Sequence, residues 1–157
     1  MGELLPEAAY SKKGIISKKM SVYLPNYVIE NNDKTSKYIK ILRISSEVKC
    51  IYLSVFTSRV DGNTSNCEVL VYRHKDSGYP QIRGYVKIIS EHLNLYTPKF
   101  YIDKTNNDLY ISIREYTKAT LIPRTISGNP ETGIEFDCRS IIESVEEFIE
   151  LNERVSE

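Results

Sequence analysis

A chain of 157 residues can bury one modest core, which points to a single domain with short appendages. Its 21 basic and 21 acidic residues are spread without long runs of one sign, so no nucleic-acid partner and no anionic membrane surface are expected. No apolar run is long enough to span a bilayer, and the N-terminus lacks the apolar stretch of a signal peptide, so no membrane insertion is expected.

Cys50, Cys67 and Cys138 are odd in number and far apart, which argues against a zinc site or a redox dithiol. Cys50 and Cys67 fall in strand-like runs, where a free thiol packs as a small apolar group. This usage suits a protein made in a reducing cytoplasm.

Residues 1–27 hold too few apolar residues for a core of their own. Leu4 and Leu5 precede the helix-breaking Pro6, and Gly14 interrupts the middle before Ile15 and Ile16. Ser17 is a candidate cap for a short helix that stops before Pro25. The run from Leu5 through Pro6, Gly14, Ile15, Ile16 and Ser17 to Met20 resembles a segment of tailed-bacteriophage fibre and appendage proteins. That segment has a Leu-Pro start and a Gly-Leu-Met-Ser core; Ile15-Ile16 stand for its Leu-Met pair, and Ala9 replaces the usual Thr.

The resemblance implies a virion structural protein, made in the host bacterial cytoplasm and assembled as a homotrimer. In it, Leu5, Pro6, Gly14, Ile15, Ile16 and Ser17 are expected to attach the chain to another virion protein of the capsid, collar or tail. The plain alternative is an N-terminal tail with no partner.

Residues 28–36 are polar and turn-prone and are expected to be a linker. Residues 37–127 then read as one strand after another. The runs 38–44, 48–56, 67–72, 82–89, 100–102, 109–116 and 120–122 are rich in β-branched and aromatic residues. Turn residues separate them, as in Asp61-Gly62-Asn63 and Asn106-Asn107-Asp108. The expected fold is mostly β, an antiparallel β-sandwich or jelly-roll-like domain.

The second run is apolar on both faces, with Cys50, Tyr52 and Phe56 on one side and Ile51, Leu53 and Val55 on the other. Such a strand needs cover on its second side. A neighbouring subunit or the rest of the same chain can supply it.

After Gly128, Pro130 and Gly133 the spacing becomes helical, and an amphipathic helix is expected over 137–157 with Asp137 as its cap. Ile141, Val145, Phe148, Asn152 and Val155 fall on a heptad seam, with Asn152 at a register-setting position. This seam is expected either to join copies or to dock on its own domain.

No catalytic constellation emerges, and no cofactor or metal is expected. His74 and His92 stand in polar settings without a motif, and no nucleophile elbow or phosphate loop is present. Asp61-Gly62-Asn63 lacks the alternating ligands of a calcium loop. Tyr79, in the turn-prone Gly78-Tyr79-Pro80, is a candidate contact for a host-surface glycan or protein, with Arg59, Asp61 and Asn63 adding hydrogen-bonding groups. Two other function classes fit the same residues: a monomeric cytoplasmic β-domain binding module or inhibitor, and a small surface-glycan hydrolase with two distant carboxylates brought together.

Overall fold

The computed structural model describes residues 26–45, 48–76, 79–91, 97–128 and 134–153. They form two sheets, and no helix occurs among them. Eight strands carry the fold: β1 (Tyr27–Asn31), β2 (Lys37–Ile44), β3 (Val48–Arg59), β4 (Thr64–Asp76), β5 (Tyr79–Glu91), β6 (Lys99–Asp103), β7 (Asp108–Ile113) and β8 (Thr117–Gly128). Four short strands follow: β9 (Ile134–Phe136), β10 (Ile141–Ile142), β11 (Ile149–Glu150) and β12 (Asn152–Glu153). The first sheet runs β1-β8-β3-β4-β5-β12. The second runs β10-β2-β7-β6-β11, with β9 also paired to β2. Every pairing is antiparallel except that of β12 with β5.

Strands β2 to β8 correspond to the seven runs read from the sequence. β3 and β8 alternate buried and outward side chains, as a sheet with one buried face must, whereas β7 is buried at nearly every position. In β3, Ile51, Leu53 and Val55 are fully buried, and they share one apolar cluster with Ile41, Phe100 and Ile111 of the second sheet. Burying a side chain of this size stabilises the fold by roughly 1.5–3 kcal/mol. Where β2 meets β7, a bulge after Lys40 leaves both Ile41 and Leu42 buried.

Polar side chains tie the layers where the ladders stop. Asn31, at the end of β1, is fully buried. Its Nδ2 donates to the carbonyls of Thr35 at 2.8 Å and Arg114 at 2.9 Å. Arg73 donates through Nε to the Val48 carbonyl at 3.0 Å and through Nη2 to the Ile44 carbonyl at 3.2 Å, so it caps the link between β2 and β3.

Two expectations need correction. Residues 28–31, expected in the linker, join Tyr27 of the expected attachment segment in a strand on β8, which adds an edge to the first sheet. The helix expected over 137–157 is absent from 137–153, and residues 154–157 lie outside the described residues. Asp137 does act as a cap would: its Oδ1 accepts from the Arg139 and Ser140 amides, both at 3.0 Å. But Cys138 has φ +60°, which an α-helix does not admit. β-branched Ile141 and Ile142 then pair with Ile39 and Tyr38.

The C-terminal residues form a strap instead. It leaves β2 at one edge of the second sheet, crosses the sheet's outer face, and joins β6 at the other edge. On the way Phe148 stacks on Tyr110 of β7, centroids 5.1 Å apart, and Tyr110 is only 6% exposed. The strap ends by pairing β12 with β5 of the first sheet. The open side of the sandwich next to β5 and β6 is thereby bridged by one chain. The opposite side is joined by Tyr27 of β1 and Phe136 of β9, stacked at 3.8 Å and 8°.

Candidate binding face on the first sheet

The two outer faces of the sandwich are unlike. The strap covers the second sheet, whereas nothing among the described residues covers the first. Its outward side chains on β3 are Tyr52, Ser54 and Phe56, and Phe56 is 46% exposed. Across the ladder, Phe56 lies opposite Asn66 and Ser54 opposite Glu68 of β4. On the other flank Ser54 lies opposite Ile122 of β8.

Two bulges shape this face. Between Tyr52↔Thr125 and Leu53↔Pro123 the register of β3 with β8 shifts, which leaves Arg124 as an extra residue. Between Asn66↔Ser90 and Cys67↔Ile88 the register of β4 with β5 shifts, which leaves Ile89 as an extra residue. A bulge re-aims a side chain and bends its strand. Here Arg124 and Ile89 border one concavity of about 250 Å³, whose other walls are Phe56, Glu68 and Ile122.

The polar groups of the concavity are held in place. Arg124 donates through Nε to Ser54 Oγ at 2.9 Å. Tyr52 donates its hydroxyl to Glu68 Oε2. That bond, with burial and the Glu68 charge, pushes the Tyr52 phenol up to about 12, so it remains a neutral donor near neutral pH. Glu68 keeps Oε1 as an open acceptor. The face thus offers an exposed aromatic ring, aliphatic flanks, one cation and one anion.

The residues singled out from the sequence are dispersed. Leu5, Pro6, Gly14, Ile15, Ile16, Ser17 and Val155 lie outside the described residues. Ile141 is exposed, Val145 and Phe148 are half-buried and Asn152 is exposed, so these four form no buried seam within the chain. Arg59, Asp61 and Asn63 do come together, in the β3–β4 turn. Asp61 Oδ1 accepts from the Asn63 amide at 3.1 Å, and that amide holds the Asp61 carboxyl below the usual range. Arg59 reaches Asp61 at 3.4 Å and Glu115 at 3.1 Å. Tyr79 begins β5 at the far end of β4. β4 has 13 residues, which at about 3.3 Å each separates the two turns by roughly 40 Å. One copy therefore cannot bring Tyr79 and Arg59 onto one small ligand.

Paired carboxylates do occur at Asp103 and Asp108, partners at the end of the β6–β7 hairpin and both buried. Their oxygens are engaged. Asp103 accepts from the Thr105 amide at 2.9 Å and from Asn106 Nδ2 at 2.8 Å. Asp108 accepts from Arg43 Nε at 2.8 Å and Nη2 at 3.0 Å. Among the described residues no group of three or more His, Cys, Asp or Glu is placed to hold a metal.

Arg124 and Ile89 were missed in the sequence, yet each had a signal. Pro123 inside a strand run marks a bulge. The doublet Ile88-Ile89 breaks the alternation of β5.

No protein-family model matches the chain, and no curated protein matches it. Among solved structures, it is similar to WceF of Pantoea stewartii, described as a glycan biofilm modifying enzyme with a bacteriophage tailspike-like parallel β-helix fold. The TM-score is 0.53 at 14% identity, over 80% of this chain and 21% of that one. The likeness is one of fold. The tailspike protein of Acinetobacter phage vB_ApiP_P1 also matches, with a TM-score of 0.37 at 13% identity over 71% of this chain and 22% of that one. The chain thus spans about a fifth of the length of each.

Proposed function

We propose that this chain is a β module of a bacteriophage virion appendage, a fibre or spike component that holds a host-surface glycan on the outer face of its first sheet. The observation that carries the reading is the face that the described residues leave uncovered, where two bulges set Arg124 and Ile89 around Phe56 and Glu68. Exposed aromatic and aliphatic groups beside fixed polar ones suit a ligand that is apolar on one side and hydroxylated on the other. The fold likeness to a tailspike-like, glycan-modifying protein supports the same reading. So does the phage-fibre resemblance of Gly14-Ile15-Ile16-Ser17. A module equivalent to 21% of that longer chain fits a part appended to a spike body.

In this reading residues 1–27 dock on another virion protein, and three copies of the chain sit on one particle site. Three weak sites on one stalk raise avidity toward a repeated surface polymer. In this reading the chain binds rather than cuts, and the paired carboxylates Asp103 and Asp108 serve the β6–β7 turn and Arg43.

The test uses the full chain and whole host cells. Wild-type protein is expected to bind cells and their extracted surface polysaccharide, and Phe56→Ala and Arg124→Ala to lose that binding with unchanged circular dichroism. Equal binding by both variants removes this face as the ligand site. Deletion of residues 1–20 is expected to abolish incorporation into particles; normal copy number in virions rules out the N-terminal dock.

A further inference from the structure

We propose that the concavity bordered by Arg124 and Ile89 takes a neutral pyranose unit, read by Glu68 and Arg124 as a donor–acceptor pair and stacked on Phe56. This rests on the binding reading above and names the chemical class of the ligand.

Three observations define that class. The first is shape. A volume of about 250 Å³ lies below the roughly 300–1,000 Å³ of pockets for drug-sized ligands. It suits one sugar ring of a chain that continues across the sheet.

The second is apolar chemistry. Phe56 and Ile89 are 46% and 47% exposed and flank the site with Ile122. A pyranose has a C–H face that lies flat on such a surface, as amphipathic groups do.

The third is the balance of polar groups. A hydroxyl is at once donor and acceptor, and it is satisfied only by partners of both kinds. Glu68 supplies the acceptor, while Arg124 and Asn66 supply donors. Among the lining residues there is one acid and one base, so their charges cancel. A uronate or sulfate brought to Arg124 would meet the Glu68 carboxylate, a like-charge contact that opposes binding. A neutral vicinal diol uses both groups without that repulsion. Tyr52 acts one step back: its hydroxyl holds Glu68 Oε2 and leaves Oε1 for the ligand. It is a positioning residue.

The experiment is a titration of the full chain followed by nuclear magnetic resonance of the Arg124 Nε–H and Asn66 side-chain amide signals. Glucose, galactose and mannose are the neutral probes; glucuronate and galacturonate are their charged counterparts. At least one neutral sugar is expected to shift both signals saturably, with the matching uronate bound about tenfold more weakly. Phe56→Ala should abolish the shifts, and Tyr52→Phe should weaken them without abolishing them. Glu68→Gln should narrow the gap between neutral and charged sugars. A uronate that binds as tightly as its neutral counterpart overturns the ligand class, while the adhesion reading survives through retained binding to host polysaccharide. If no sugar shifts the signals, and they instead change with protein concentration in wild type but not in Phe56→Ala, the face is an interface between copies and the proposal is wrong.

Discussion

Leu151 fills the space that Gly84 leaves empty. A Cβ at Gly84 would lie 3.1 and 3.3 Å from the two Leu151 methyl carbons and 2.6 Å from the Leu70 carbonyl oxygen. The Leu151 amide meanwhile donates to the Phe100 carbonyl at 2.9 Å. One residue therefore holds β6 by its backbone and β5 by its side chain. Gly84→Ala is expected to destabilise by about 1–3 kcal/mol, because a backbone oxygen cannot move aside as a side chain does. Leu151→Ala should cost about 2–4 kcal/mol from the lost burial and the void. Urea melts of the two single variants and the double variant are the check. The double variant should fall short of the sum, since each change removes part of the same contact.

Phe148 has its partner within its own chain, on Tyr110. Phe148→Ala should lower stability by about 1–2 kcal/mol through the lost aromatic pair and the uncovered ring. It should leave the sedimentation coefficient of the folded protein unchanged. A change of assembly state in that variant would restore the helical-seam idea in another form.

Asn31, itself fully buried, donates through Nδ2 to the carbonyls of Thr35, Arg114 and Ile113. Asn31→Ala would remove the bonds to Thr35 and Arg114, each a net contribution of about 0.5–1.5 kcal/mol. Asn31→Asp keeps the size but loses the donor, so it should be at least as harmful. Thermal unfolding followed by circular dichroism reads both.

Tyr52 sets a pH dependence. Its folded pKa, about 12, is raised above the ordinary phenol value of 10.0, first by its hydrogen bond to Glu68. A raised pKa means that the folded state holds the proton more tightly. The Tyr52–Glu68 contribution is therefore fully present below pH 10 and is lost as pH rises through 12. Stability of wild type relative to Tyr52→Phe should converge across that window in denaturant melts at stepped pH. A constant difference from pH 8 to 12 would show that the bond contributes nothing to the ionisation.

The strands of this protein were legible because runs of β-branched and aromatic residues stand between turn residues. Ile51, Leu53 and Val55 face the core while Tyr52 and Phe56 do not, and any one-face-buried sheet must show that pattern. The C-terminal region was not legible, for a physical reason. Cys138, Ile141, Val145 and Phe148 have helical spacing, but the sheets offered edge strands and a bare outer face that spacing cannot reveal. Pairing Ile141 with Ile39 and stacking Phe148 on Tyr110 outweighed the intrinsic helical tendency. The candidate face was half legible. The two-sided β3 announced a surface in need of cover, but Arg124 and Ile89 are set beside it by register shifts that only the pairing reveals.

The strap also bears on how the chain is made. A ribosome releases β5 and β6 long before residues 149–153, which pair with them. Until then those two edges present unpaired amides and carbonyls, the pattern that recruits strands from other molecules. Residues 149–153 thus act as a seal on edges made earlier in the chain. A ribosome stalled before residue 149 would hold a sandwich with two sticky edges, and nascent chains on one crowded message would be placed to exchange strands through them.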